Sequence, residues 1–122
     1  MNEVDWVAEA RALAPRFARG AERHDREGSF PFENFEALRA AGFYGLTAPR
    51  RFGGAEATVE TFVRVMEELA AGDGSTALAF NMHLVRIGTE RDAPTYPEHW
   101  YAELCRGARE DGWLCNTAAT EE

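Results

Sequence analysis

Lysine is absent from this 122-residue chain: all 13 basic residues are arginine, set against 21 acidic ones, for a net charge of −8. A balance of that sign argues against a nucleic-acid partner, because nonspecific affinity comes from Lys and Arg neutralising phosphates. It argues equally against an anionic membrane surface. Cysteine is scarce as well. Cys105 and Cys115 are the two present, no Cys-x-x-Cys pair occurs, and His24, His83 and His99 are scattered. No metal site is therefore expected, and two free thiols in a reducing compartment is the simpler reading. No apolar run approaches the roughly 20 residues that cross a bilayer. The opening Met1-Asn-Glu-Val-Asp5 is acidic and lacks an apolar segment, unlike a signal peptide. The expected location is the cytoplasm. The phosphate-loop spacing Gly-x-x-x-x-Gly-Lys is also missing.

What is present reads as helix. Hydrophobic residues make up 45% and charged residues 28%, values of an ordinary globular chain long enough for one core. Trp6, Val7, Ala10, Leu13, Ala14, Phe17 and Ala21 recur at steps of three and four, predicting one helix over residues 3–27. Pro15 lies inside it and predicts a kink. Gly28 and Pro31 end it. Phe32, Phe35 and Leu38 predict a second helix, closed by Gly42 in the left-handed conformation. Residues 41–54 then hold four glycines and Pro49. Phe43, Tyr44, Leu46 and Phe52 make this stretch too apolar for an idle linker, so an ordered connection is expected, with a sharp reversal at Gly53-Gly54.

Thr58 is placed as an N-cap, with Glu60 in the first turn of a helix through Phe62, Val65, Met66 and Leu69. The breadth of its apolar face predicts the most buried helix of the domain. Asp73 or Ser75 caps the next helix, Thr76–Ile87, which is apolar almost all round and is expected to stop at Gly88. Residues 89–97 read as a polar loop and 98–106 as a short helix closed by Gly107. After the turn signal at 110–112, Trp113–Thr120 has the composition of a strand, the only candidate in the chain. A lone strand has no ladder partner, so the chain reads as a piece of a larger architecture.

Few residues carry chemistry on spacing alone. His83 and Asn81 are polar groups on an apolar helix. For each, a buried hydrogen-bonded core residue and a group facing a site remain open readings. Arg50-Arg51 beside Gly53-Gly54 is a weak anion-binding pattern. Glu67-Glu68 is not a facing pair, since adjacent helix residues point about 100° apart.

The order of motifs is more specific than any one of them. Residues 30–54 (Phe-Pro-Phe-Glu-Asn-Phe-Glu-Ala-Leu-Arg-Ala-Ala-Gly-Phe-Tyr-Gly-Leu-Thr-Ala-Pro-Arg-Arg-Phe-Gly-Gly), the helix end Met66-Glu-Glu-Leu-Ala-Ala-Gly-Asp-Gly-Ser-Thr76, and Ala118-Ala-Thr-Glu121 resemble the N-terminal helical domain of the acyl-CoA dehydrogenases. The resemblance implies an all-α domain over 1–109, with 110–122 beginning a middle β-domain whose remainder is missing. It implies part of an FAD-dependent oxidoreductase that removes hydrogen from the α and β carbons of an acyl-CoA thioester, with hydride passing to flavin N5. Fatty acid metabolism and a homo-oligomer, tetramer or dimer, are implied with it. By that resemblance Ala118, Ala119 and Thr120 lie against the flavin ring, and the 76–87 helix, with Asn81 and His83, lies near the substrate pocket. No residue of 1–122 matches the family's catalytic Glu base. A flavin-dependent monooxygenase of the same fold, in which a helix histidine faces the flavin, is the first alternative. A stand-alone helical interaction module without catalysis is the second.

Overall fold

The computed structural model describes residues 3–118. Five helices follow one another: α1 (Trp6–Glu27), α2 (Phe32–Ala40), α3 (Val59–Gly72), α4 (Gly74–Asp92) and α5 (Glu98–Glu110), with two short 3-10 turns between α2 and α3. No strand forms among the described residues. The domain is all-α, as expected.

The local signals act as their chemistry dictates. Asp5 caps α1 by accepting from the Ala8 N–H at 3.0 Å, and the helix runs unbroken through Pro15 to a left-handed Gly28. Gly42 takes φ 88° just past α2, satisfying carbonyls that a helix end leaves over. Thr58 caps α3 through the Thr61 N–H, and Asp73 caps α4 through the Ser75 N–H.

The 41–54 connection is ordered and feeds the core. Phe43, Tyr44, Leu46 and Ala48 are buried. The chain reverses at Gly53 (φ 85°), and the returning backbone bonds to the outgoing segment: Ala55 N–H to Gly45 O, Glu56 N–H to Ala48 O and Ala57 N–H to Leu46 O, all 2.9–3.0 Å. A Cβ on Gly54 would overlap the Ala48 carbonyl, so glycine is what permits this close approach.

One main core joins Val7, Ala10, Leu13 and Phe17 of α1 to Phe35 and Leu38 of α2, the 43–46 turn, Val65 and Leu69 of α3, and Ala77, Phe80 and Leu84 of α4. A smaller cluster under α5 holds Ala48, Ile87, Tyr101 and Cys105.

Four expectations are corrected. The most buried helix is α4, not α3: α3 buries only Val65 and Leu69 fully, while α4 buries seven residues. Helix α4 does not stop at Gly88 but runs to Asp92. Gly88 serves packing instead, since a Cβ there would sit 3.2 Å from the Thr47 Cβ. Helix α5 likewise passes Gly107 to Glu110, and Gly107 serves packing, since the Trp113 indole lies where its Cβ would be. Residues 113–118 are not a strand. Their N–H groups find other acceptors: Trp113 bonds to Gly107 O, Cys115 to the His83 ring and Thr117 to the Asn116 side chain. With no neighbouring strand among the described residues, nothing completes a ladder.

Candidate functional site

Helix α4 divides its surface sharply. Phe80, His83, Leu84 and Ile87 point inward, at the three- and four-residue steps that make one face. The opposite stripe, Leu78, Met82 and Val85, is 68%, 45% and 43% exposed. Three large apolar side chains in a row on the most buried helix form an unpartnered face. Trp113 and Leu114 are also exposed. Beside this stripe Arg86 bonds Glu90 at 2.9 Å and lies over the Tyr96 ring, yet its buried Nε has no acceptor among the described residues. Where α4 meets α3, a groove of about 210 Å³ is lined by Thr47, Val59, Phe62, Val85 and Gly88.

His83 is on the inner side and only 1% exposed. Its Nε2 lies 2.8 Å from the Tyr44 carbonyl oxygen, and its Nδ1 lies 2.9 Å from the Cys115 backbone nitrogen. A carbonyl can only accept and a backbone N–H can only donate. The ring is therefore the neutral tautomer with its proton on Nε2. Burial pushes its pKa below the ordinary value, partly opposed by the bond to the Tyr44 carbonyl, which agrees with neutrality. Phe80 stacks on the ring at 5.9 Å.

The other residues singled out by sequence fall at different depths. Asn81 is half-buried beside the outward stripe. Ala118 is exposed at the edge of the described residues; Ala119 and Thr120 lie outside them. Arg50 pairs with Glu3 at 3.1 Å and Arg51 with Glu98 at 3.5 Å. The basin of about 720 Å³ near Arg50 also holds Glu3, Asp5 and Glu56 beside Arg64 and Arg109. Charges of both signs fill it, so it does not select an anion. Burial raises the pKa of both Cys105 and Cys115, which keeps them as unreactive thiols. Among the described residues no cluster of metal-ligating side chains occurs, and no helix is long and apolar enough to cross a membrane. The outward stripe was not singled out from sequence; its signal is the i, i+4, i+7 spacing of Leu78, Met82 and Val85 opposite the Phe80–Leu84–Ile87 face.

Residues 3–108 match the family profile described as "Acyl-CoA dehydrogenase, N-terminal domain". YdbM of Bacillus subtilis, which carries an acyl-CoA dehydrogenase name, is 34% identical over 98% of this chain and 31% of its own length. The dibenzothiophene monooxygenase of Rhodococcus erythropolis is 33% identical over 96% of this chain and 28% of its own. Among solved structures, the nitrososynthase from Micromonospora carbonacea var. africana superposes with a TM-score of 0.75 at 32% identity, covering 86% of this chain and 28% of that one. The chain thus spans less than a third of the length of these relatives. On its profile match and these likenesses, the chain belongs to the acyl-CoA dehydrogenase family, as its N-terminal helical domain.

Proposed function

We propose that this chain forms one wall of the active site of an FAD-dependent oxidoreductase, with residues 110–122 opening the following β-domain and the complete protein assembling as a cytoplasmic homodimer or homotetramer. The observation that carries the reading is the outward stripe Leu78–Met82–Val85. An apolar helix face fits a planar heteroaromatic ring or an acyl chain, and the orphaned Arg86 Nε beside it suits an acceptor atom supplied from outside residues 3–118. When bound, the flavin supplies the electron-accepting chemistry. The chain's own part is to exclude water along α4 and to present Ala118–Thr120 to the ring, with Asn81 at the substrate margin. Leu78→Asp tests it. The substitution is on the surface of this chain and is expected to leave its stability within about 0.5 kcal/mol. In the native flavin-loaded gene product it should lower turnover at least a hundredfold. Unchanged turnover would remove α4 from the site.

The primary reading of the chemistry is α,β-dehydrogenation of an acyl-CoA thioester. The relatives favour a second reading on the same fold, since dibenzothiophene monooxygenases span 96% of this chain at 30–33% identity. Mixing the oxidised enzyme with acyl-CoA thioesters without oxygen separates the two. Bleaching of the flavin bands supports the dehydrogenase. Oxygen-dependent product formed only from reduced flavin supports the monooxygenase.

A further inference from the structure

We infer that His83 is a positioning residue, which clamps the segment after α5 onto the helical core and so sets the register in which Ala118–Thr120 reach the flavin. The flavin half of this inference rests on the proposed function; the clamp rests on the geometry of this chain alone.

Three elements meet at one buried imidazole. Its Cα belongs to α4, its Nε2–H donates to Tyr44 O in the connection before α3, and its Nδ1 accepts the Cys115 N–H. Cys115 lies between Trp113, which packs on Gly107 of α5, and Ala118, three residues on. A fully extended chain covers about 3.3–3.6 Å per residue, so Ala118 lies within roughly 10 Å of this anchor. The Cys115 N–H has no ladder partner, and the His83 bond is what satisfies it. The imidazole suits the task because a neutral ring offers one donor and one acceptor on opposite edges. Both are consumed here, which leaves no ring nitrogen for substrate. His83 thus acts through the backbone it holds.

Two substitutions divide the two bonds. In His83→Asn the amide oxygen can occupy the Nδ1 position and keep the Cys115 N–H while losing the Tyr44 carbonyl. In His83→Gln the amide nitrogen can reach the Nε2 position and keep Tyr44 while losing Cys115. The experiment measures hydrogen exchange of the Cys115 amide and FAD affinity by fluorescence in the native gene product. His83→Gln is expected to speed Cys115 exchange and weaken FAD binding, each by about tenfold, the loss of one buried hydrogen bond. His83→Asn should leave both near the parent value. Cys115→Pro deletes the same N–H from outside α4 and so has no amide of its own to follow; exchange of the neighbouring Asn116 and Thr117 amides should speed and FAD binding weaken as in the Gln variant, even if neither His83 variant folds. Equal exchange and equal FAD affinity in Gln and Asn variants, with the Asn116 and Thr117 amides and the FAD affinity of Cys115→Pro like the parent, would overturn the clamp. Divided exchange with unchanged FAD affinity would uphold the clamp and overturn the flavin placement at 118–120.

Discussion

His83 makes stability depend on pH in a defined direction. Burial depresses its pKa in the folded chain, whereas the unfolded value is about 6.5. Between the two, the folded chain binds fewer protons at this site than the unfolded chain. Stability is thus full above about pH 7, declines as pH falls below about 6.5 by up to about 1.4 kcal/mol per unit, and levels off below the folded pKa. The facing Tyr44 and Cys115 do not titrate in that window, since burial raises both. Glu33, held low by its bond to His24, gives a separate loss only below about pH 4.5. Urea midpoints from pH 7.5 to 5 should therefore fall in the parent and stay flatter in His83→Gln. Parallel slopes would mean that His83 titrates alike in both states. The identity of this residue was legible in the sequence, but its direction was not. A helix apolar nearly all round has two candidate stripes, and only the packing of α2, the 43–46 turn and α3 selects the one containing His83.

At the scale of elements, caps and stops were legible where a residue acts locally. Asp73, Thr58, Gly28 and Gly42 do what their side chains or lack of one allow. Gly88 and Gly107 misled because a glycine inside a helix has a second use, letting a neighbour approach, and that use depends on residues far along the chain. Gly72 combines both. It ends α3, and a Cβ there would overlap the Ala14 backbone of α1. Gly72→Ala is expected to cost about 1–3 kcal/mol by forcing the α1–α3 crossing apart, although alanine is the better helix former. Chemical denaturation measures this. A neutral or stabilising result would show that the crossing relaxes freely. Of the strand expected at 113–120, the described part 113–118 does not form one, for a related reason. Its composition is right for a strand, but a strand is a property of a pair.

At the scale of the molecule, motif order carried more than composition. Charge and the missing lysine only argued against classes of partner, whereas the succession from Pro31 through Gly53-Gly54 to Asp73-Gly-Ser carried the resemblance that the family profile bears out. The outward face of α4 follows from the same view: a domain that leaves Leu78, Met82 and Val85 exposed on its most buried helix is built to meet something. A stand-alone module and a flavoenzyme wall answer that differently. The most direct test is the intact mass of the native gene product together with its visible absorption spectrum. A species well above 13.6 kDa with the visible bands of an oxidised flavin is the predicted result. A colourless species at 13.6 kDa would contradict the flavoenzyme reading and leave the α4 stripe as a surface for some other partner.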